Sequence, residues 1–294
     1  MRSERQCCER RQDDLLFKWF LDLNSTDAAC DASTFSKNRD RLLRHDVAAQ
    51  FFDALLAAAH RPGLLADAHF TVDGTLLESW ASLKSFRPTG GPTDSDGSAP
   101  PPAGGRTAAV DFHGQKRSNA SHASTTDPDA RLARTGKGKE AKLCLAGHVL
   151  MENRTGLAVD VRLTHATGTA ARAAALRMLD RRPAPLPRGT LGADKGSDTR
   201  AFVTQCRARQ VTPPVTQNTK GRRRAIDGRT TRHPGSAISQ RIRNRVEAIF
   251  GWTKTVGGGR KLRYRGLARN QCWAELTTAA SNLVRLINLI PSAV

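Results

Sequence analysis

Ala68-His-Phe-Thr-Val-Asp73-Gly-Thr-Leu-Leu77 alternates apolar and polar side chains and is rich in β-branched residues, so it predicts a strand half buried in a sheet. Asp73 stands in the middle of it. A carboxylate among apolar neighbours is costly to desolvate, so it must be paired, hydrogen-bonded or bound to a metal. Downstream, Lys142–Met151 and Leu157–Thr164 read as two more strands, joined by the turn Glu152-Asn-Arg-Thr-Gly156. Ala-rich Thr169–Arg181 predicts a helix stopped by Pro183, and Thr190–Ala193 a short strand that ends at Asp194. Thr199–Arg209 follows as a helix. Val211–Gln217 reads as an edge strand, because Pro213 and Pro214 exclude a central one. A helical segment from Ser236 to Lys254 and an apolar helix from Leu276 to Leu289 complete the series. Three strands, then helix and strand in turn, predict an α/β domain whose sheet is flanked by helices.

Upstream, Asp13–Leu23 has the apolar spacing of a short amphipathic helix through Leu15, Leu16, Trp19, Phe20 and Leu23. Ser36–Leu43 and Asp46–Ala59 read as two more, and His60-Arg-Pro-Gly63 stops the second. The expected organisation is a small all-helical region over 1–62 and the α/β domain over 63–294. The Gly/Pro/Ser-rich stretch 88–109 is expected to be a mobile loop inside the latter.

The segment from Ser236 to Lys254 holds one carboxylate, Glu247, among cations. At about 100° per residue, with Arg243 as zero, Glu247 falls near 40° and Lys254 near 20°. Ile238, Ile242, Val246, Ile249 and Thr253 fall between roughly 220° and 300°. One side can pack while Arg243, Glu247 and Lys254 share the other. An acid flanked by bases suits a site that holds a cation beside a polyanion.

Charge points the same way. The chain has 47 Lys and Arg against 27 Asp and Glu, a formal +20, so a polyanionic partner is expected and nucleic acid is the first candidate. From Lys220 to Arg269 there are fifteen Lys and Arg but only Asp227 and Glu247 as acids. The six cysteines form no C-x-x-C pair, which argues against a zinc site or a disulfide framework. No apolar run reaches the length of a membrane span, and 1–14 is charged rather than signal-like, so a soluble cytoplasmic protein without membrane contact is expected.

Asp73 in a strand, Asp194 directly after one and Glu247 on a helix form a set of hard oxygen donors, suited to Mg2+ or Mn2+. Two such ions about 3.5–4 Å apart can activate a water or a 3′-hydroxyl and stabilise the leaving oxygen at a phosphodiester. Taken singly, Asp73 could pair with an arginine and Asp194 could cap a turn. Arg243 and Lys254, beside the carboxylates, are candidates to hold phosphates. Arg222, Arg223, Arg224, Arg260, Lys261, Arg263 and Arg265, with Lys220, read as a sequence-tolerant DNA-backbone track. Trp252 reads as packing. The dispersed histidines His113, His122, His148, His165 and His233 show no metal-binding spacing.

Several stretches together resemble bacterial insertion-sequence transposases of the DDE type, in the IS-five group. They are Phe70-Thr-Val-Asp-Gly-Thr-Leu-Leu-Glu-Ser-Trp80, Asp111-Phe-His-Gly114, His122-Ala-Ser-Thr-Thr-Asp-Pro-Asp-Ala130, Leu191-Gly-Ala-Asp-Lys195 and Arg241 to Lys254. The resemblance covers nearly the whole chain. It implies a ribonuclease-H-like catalytic domain, with Asp73, Asp194 and Glu247 as the three metal-binding catalytic carboxylates. It also implies Mg2+ or Mn2+, two ions, as cofactor, and DNA as partner (terminal inverted repeats and target), bound by a homodimer or larger assembly. The group carries Tyr, two residues, Arg, three residues, Glu, six residues, Lys. Arg243, Glu247 and Lys254 match that spacing, whereas Gln240 replaces the tyrosine and Gly196-Ser197 stands where an aromatic commonly follows. Members usually carry a longer helical segment ahead of the stretch resembling 2–6, so an N-terminal truncation is expected. Two rival readings are a truncated DNA-binding remnant without activity and a nuclease that cuts branched DNA.

Overall fold

The computed structural model describes residues 4–28, 30–89, 118–136, 138–182, 188–216, 225–226, 228–232 and 234–290. The stretch expected to be a loop falls almost wholly outside these, as do Lys220, Arg222, Arg223, Arg224, His113 and His233. The chain forms two compact units, 1–50 and 51–294, with the boundary inside a helix and ahead of the expected one at 62.

The first unit holds α1 (Glu4–Asp13), α2 (Leu15–Phe20), α3 (Ala32–Arg44) and the start of α4 (Val47–His60). Asp14 caps α2 by accepting from the amide of Leu16, and Asp31 caps α3 from Ser33, which sets its start ahead of Thr34. The expected burial of α2 is inverted. Its ammonium Lys18 is buried and donates to the carbonyl of Ser25, while Leu15, Leu16, Trp19 and Phe20 are exposed. Satisfying one desolvated cation turns the apolar side of this short helix outward.

The second unit is built on a mixed sheet. Its elements are β1 (His69–Glu78), β2 (Phe86–Pro88), β3 (His122–Ser124), β4 (Arg131–Ala133), β5 (Lys142–Glu152), β6 (Ala158–His165), α5 (Ala170–Asp180), β7 (Gly189–Gly192), α6 (Arg200–Ala208), β8 (Val211–Thr212), α7 (Gly228–Thr231), α8 (Pro234–Ile242), α9 (Val246–Thr255) and α10 (Leu267–Leu289). The main order is β6-β5-β1-β7-β8, with β4 pairing the start of β5 and β2–β3 a separate ribbon. β6, β5 and β1 are successively antiparallel, whereas β7 and β8 run parallel to β1. The edge strand β8 is only two residues long, since Pro213 cannot continue the ladder.

Alternation along β1 divides the core. Phe70 and Val72 pack with Met178 and Leu179 of α5 and Phe202 of α6, while Leu77 packs with Val246 and Ile249 of α9 and Ala274 of α10. Asp73 and Thr75 share the side of Leu77. Behind β6, Phe52, Leu55 and Ala59 of α4 join Leu157, Ala279 and Leu286.

α10 begins at Leu267, nine residues ahead of the expected Leu276, because distant acids cap it. Asp127 accepts from the amide of Gly266 and Asp129 from that of Leu267, and Asp129 also holds His165 at 3.0 Å. The motif from His122 to Ala130 thus anchors a helix start. His122 itself stacks on Phe86.

β6 would leave one edge unpaired, and α10 covers it with side-chain amides. Asn282 donates to the carbonyl of Ala158 and accepts from its amide, while Gln271 does the same for Val161 and Leu163. Buried backbone groups without partners are destabilising, and an open edge invites pairing with other chains. Asn282→Leu is therefore expected to lower stability by about 3 kcal/mol, measured by urea unfolding, because two groups lose their partners. A loss below about 1 kcal/mol would show that the edge does not depend on this amide.

Candidate active site

The β1–β7 ladder pairs His69 with Thr190, Phe70 with Leu191 and Thr71 with Gly192. The same offset carried forward sets Asp73, midway along β1, level with Asp194 just beyond the end of β7. In-register neighbours project their side chains to one side. Asp194 leaves β7 as the cap of a short 3-10 turn, its carboxylate accepting from the amide of Lys195 at 2.6 Å. Asp73 accepts from the amide of Gly74 at 2.7 Å and from Arg243 at 3.2 Å. The arginine pair and the turn cap open to each residue singly are therefore both present. Neither excludes a shared role, since Asp73 also feels the negative charges of Asp194 and Glu247.

Burial is the main influence on Asp73 and raises its pKa. The Gly74 amide and Arg243 oppose the rise, and Asp194 and Glu247 add to it. The half-buried carboxylate is thus short of positive charge even with Arg243 beside it.

The expected continuous helix is broken. α8 ends at Ile242, Arg243–Arg245 form a 3-10 turn, and α9 starts at Val246. Val246, Ile249 and Thr253 are buried as their spacing predicts, but Ile238, ahead of the break, is exposed. Nor do Arg243 and Lys254 face outward with Glu247. Arg243 turns onto Asp73 and Lys254 donates to Thr75 at 2.6 Å, so both lie against one side of β1. Glu247, between them in sequence, is exposed. Thr75 went unnoticed in the sequence, although its place two residues after Asp73 on one strand face signals it.

Other expectations divide. Gln240, where the resemblance has tyrosine, donates to the carbonyl of Pro214 and accepts from Thr216 at 2.6 Å, tying α8 to the segment after β8. Arg260, Lys261, Arg263 and Arg265 lie in the loop between α9 and α10, exposed, with Lys261 3.9 Å from Glu78. Trp252 is half-buried and lines a groove between α9 and α10. His148 is buried opposite Gly74, and desolvation lowers its pKa to about 4, so it is neutral. Its ring packs so closely that a Cβ at position 74 would lie 2.8 Å from its Nδ1, which is why glycine follows Asp73.

On the α5 side of the sheet a cleft of about 760 Å³ adjoins the carboxylates. Asp73 and Asp194 line it, together with Arg131 of β4, Arg134 just after β4 and Arg172 of α5. These arginines were not legible in the sequence, because nothing local links Arg172 to the pair at β4.

Among the described residues, no group of three or more His, Cys, Asp or Glu stands close enough to hold a metal ion. Donor chemistry still fits a hard divalent cation: the acids are oxygen ligands only, and Asp73 is desolvated with too little positive charge nearby.

A sheet of three antiparallel strands extended by two parallel ones, with an acid midway along β1 level with one just after β7, defines a ribonuclease-H-like α/β protein. The model of the family described as "Transposase DDE domain" matches residues 107–283, and the chain belongs to that family. Asp194 and Glu247 fall inside the match and Asp73 before it. Residues 1–41 match the family described as "Transposase domain (DUF772)". No curated protein matches the sequence. Similar solved structures include the piggyBac transposase synaptic complex with hairpin DNA, at 10% identity and a TM-score of 0.38, covering 74% of this chain and 48% of that one. Another is the Mos1 strand transfer complex, at 9% identity and a TM-score of 0.23, covering 98% and 74%. The chain thus spans about half the length of the piggyBac chain. No helix among the described residues is long and apolar enough to cross a membrane.

Proposed function

We propose that this chain cuts DNA at the ends of a mobile element and joins those ends to target DNA, with Asp73, Asp194 and Glu247 as its catalytic carboxylates. The observation that carries the reading is the level register of Asp73 and Asp194, with Glu247 near enough to raise the pKa of Asp73. Family membership supports the same chemistry.

Asp73, Asp194 and Glu247 would hold the divalent ions, Mg2+ or Mn2+. When bound, such ions polarise the phosphoryl oxygen and lower the pKa of the attacking group. Arg243 and Lys254 neutralise phosphate charge on the α9 side, and the exposed cations of the following loop hold the DNA backbone, as would Arg222, Arg223 and Arg224. In the first step water attacks the phosphorus at the element's end, and the bond to the 3′-oxygen breaks, freeing a 3′-hydroxyl and leaving a 5′-phosphate. That hydroxyl then attacks a target phosphodiester and displaces its 3′-oxygen. One phosphodiester replaces another, so no covalent protein–DNA intermediate is required.

A gel shift and a strand-cleavage assay on the element's own terminal repeats test the proposal. Both end binding and cutting that depends on Mg2+ or Mn2+ are expected. Binding without nicking would instead favour a DNA-binding remnant, and equal cutting of branched DNA lacking those ends would favour a general nuclease.

A further inference from the structure

The cleft beside Asp73 combines two features. Its walls carry small apolar side chains, among them Ala133, Ala146 and Ala171, while Arg134 and Arg172 supply positive charge. Arg172 is steadied by donating to the carbonyl of Gly196 at 2.9 Å, which leaves further N–H groups for a ligand. Asp73 and Asp194 line the same space, so a compact anion filling it would be repelled by both. The occupant must therefore keep its charge towards the arginines and present an uncharged body to the apolar wall. At about 760 Å³ the space is within the usual size of a ligand pocket and exceeds what one phosphate fills.

We infer that this cleft receives one unpaired nucleotide of the DNA strand, its phosphate held by Arg134 and Arg172 and its base against the alanine wall. The identity of that strand as the one being cut rests on the functional reading above. Apart from the buried imidazole of His148, no aromatic side chain among the described residues lines the cleft, so the grip on the base is mainly by apolar contact and is tolerant of sequence. The substrate would then meet cations on both sides of the carboxylates, Arg243 and Lys254 towards α9 and the arginines of the cleft towards α5.

The test is fluorescence anisotropy of a fluorescein-labelled thymidine tetranucleotide on the full chain, without divalent metal. Ala171 is exposed on α5, so Ala171→Trp should fill the cleft without disturbing the core, and it is expected to weaken binding at least about tenfold. Arg134→Ala, also exposed, should weaken it about tenfold, whereas Arg188→Ala, exposed ahead of β7 and outside the cleft, should cost less than about threefold. Binding by Ala171→Trp within about twofold of the parent, or an equal loss in Arg188→Ala, would overturn the inference. Ala171→Trp should also slow cutting of element ends. Normal cutting by this variant overturns the cleft's role and leaves the carboxylate assignment standing. A parent chain that binds the tetranucleotide in the cleft but never cuts overturns the functional reading instead.

Discussion

Asp73→Asn is expected to reduce cutting of element ends by on the order of a thousandfold or more while leaving gel-shift affinity within about threefold of the parent. The size follows from what a divalent ion supplies: several kcal/mol of transition-state charge stabilisation, with each 1.4 kcal/mol worth a factor of ten. An amide keeps the shape of the carboxylate and most hydrogen bonding but is a poor ligand for a hard cation. Asp194→Asn and Glu247→Gln should behave alike, since all three would share the same ions. Stability supplies a second readout, and its sign separates the functional role from a merely structural one. The folded-state pKa of Asp73 is raised, chiefly by burial. Its contribution to stability is therefore present below the ordinary carboxylate pKa and is lost as pH rises through the raised value. At pH 8 the ionised side chain is a net burden on the fold, and the neutral amide should raise Tm slightly. Were the Arg243 pair the reason for Asp73, breaking it would strand a largely buried guanidinium and lower Tm. Cutting by all three variants at parental rates would end the carboxylate assignment.

Such a site was partly legible in the sequence for identifiable reasons. β1, β5 and β6 were readable because apolar alternation and a hairpin turn are local properties, and Asp73 stood out against them. The buried side of α9 was readable from its period. The break at Arg243–Arg245 was not, because a 3-10 turn takes the same residue types as the helix around it and differs only in winding. A small change in winding turned Arg243 from solvent onto Asp73. The start of α10 was hidden because Asp127 and Asp129 cap it from far along the chain. Asn282 and Gln271 carried no signal in the sequence, yet they complete the edge of β6, because their partners lie more than a hundred residues away along the chain. In α2 the period was real but its direction was wrong, since the buried position went to Lys18. Local pattern reports which residues share a side and is silent on what that side meets.

Arg243→Ala is the second large effect expected, a loss of about a hundredfold to a thousandfold in cutting, comparable to removing one preorganised donor from a developing negative charge. Arg243 sits at the break between α8 and α9, about four-fifths buried, with one N–H on Asp73 and its buried Nε without a partner among the described residues. A guanidinium carries five donors in a rigid fork, so it can hold Asp73 and a phosphate together. Its removal acts in two ways that separate by pH. The cation opposing the raised pKa of Asp73 is lost, so the proton is held more tightly and the rising limb of the pH–rate profile should move to higher pH. The phosphate contact is also lost, which lowers the rate even on the plateau. Arg243→Lys should restore the position of the limb, because the charge returns, but not the plateau, because an ammonium cannot reproduce the fork. A lysine variant that recovers both would reduce Arg243 to a point charge. An alanine variant within about tenfold of the parent, with its limb unmoved, would remove Arg243 from the site altogether.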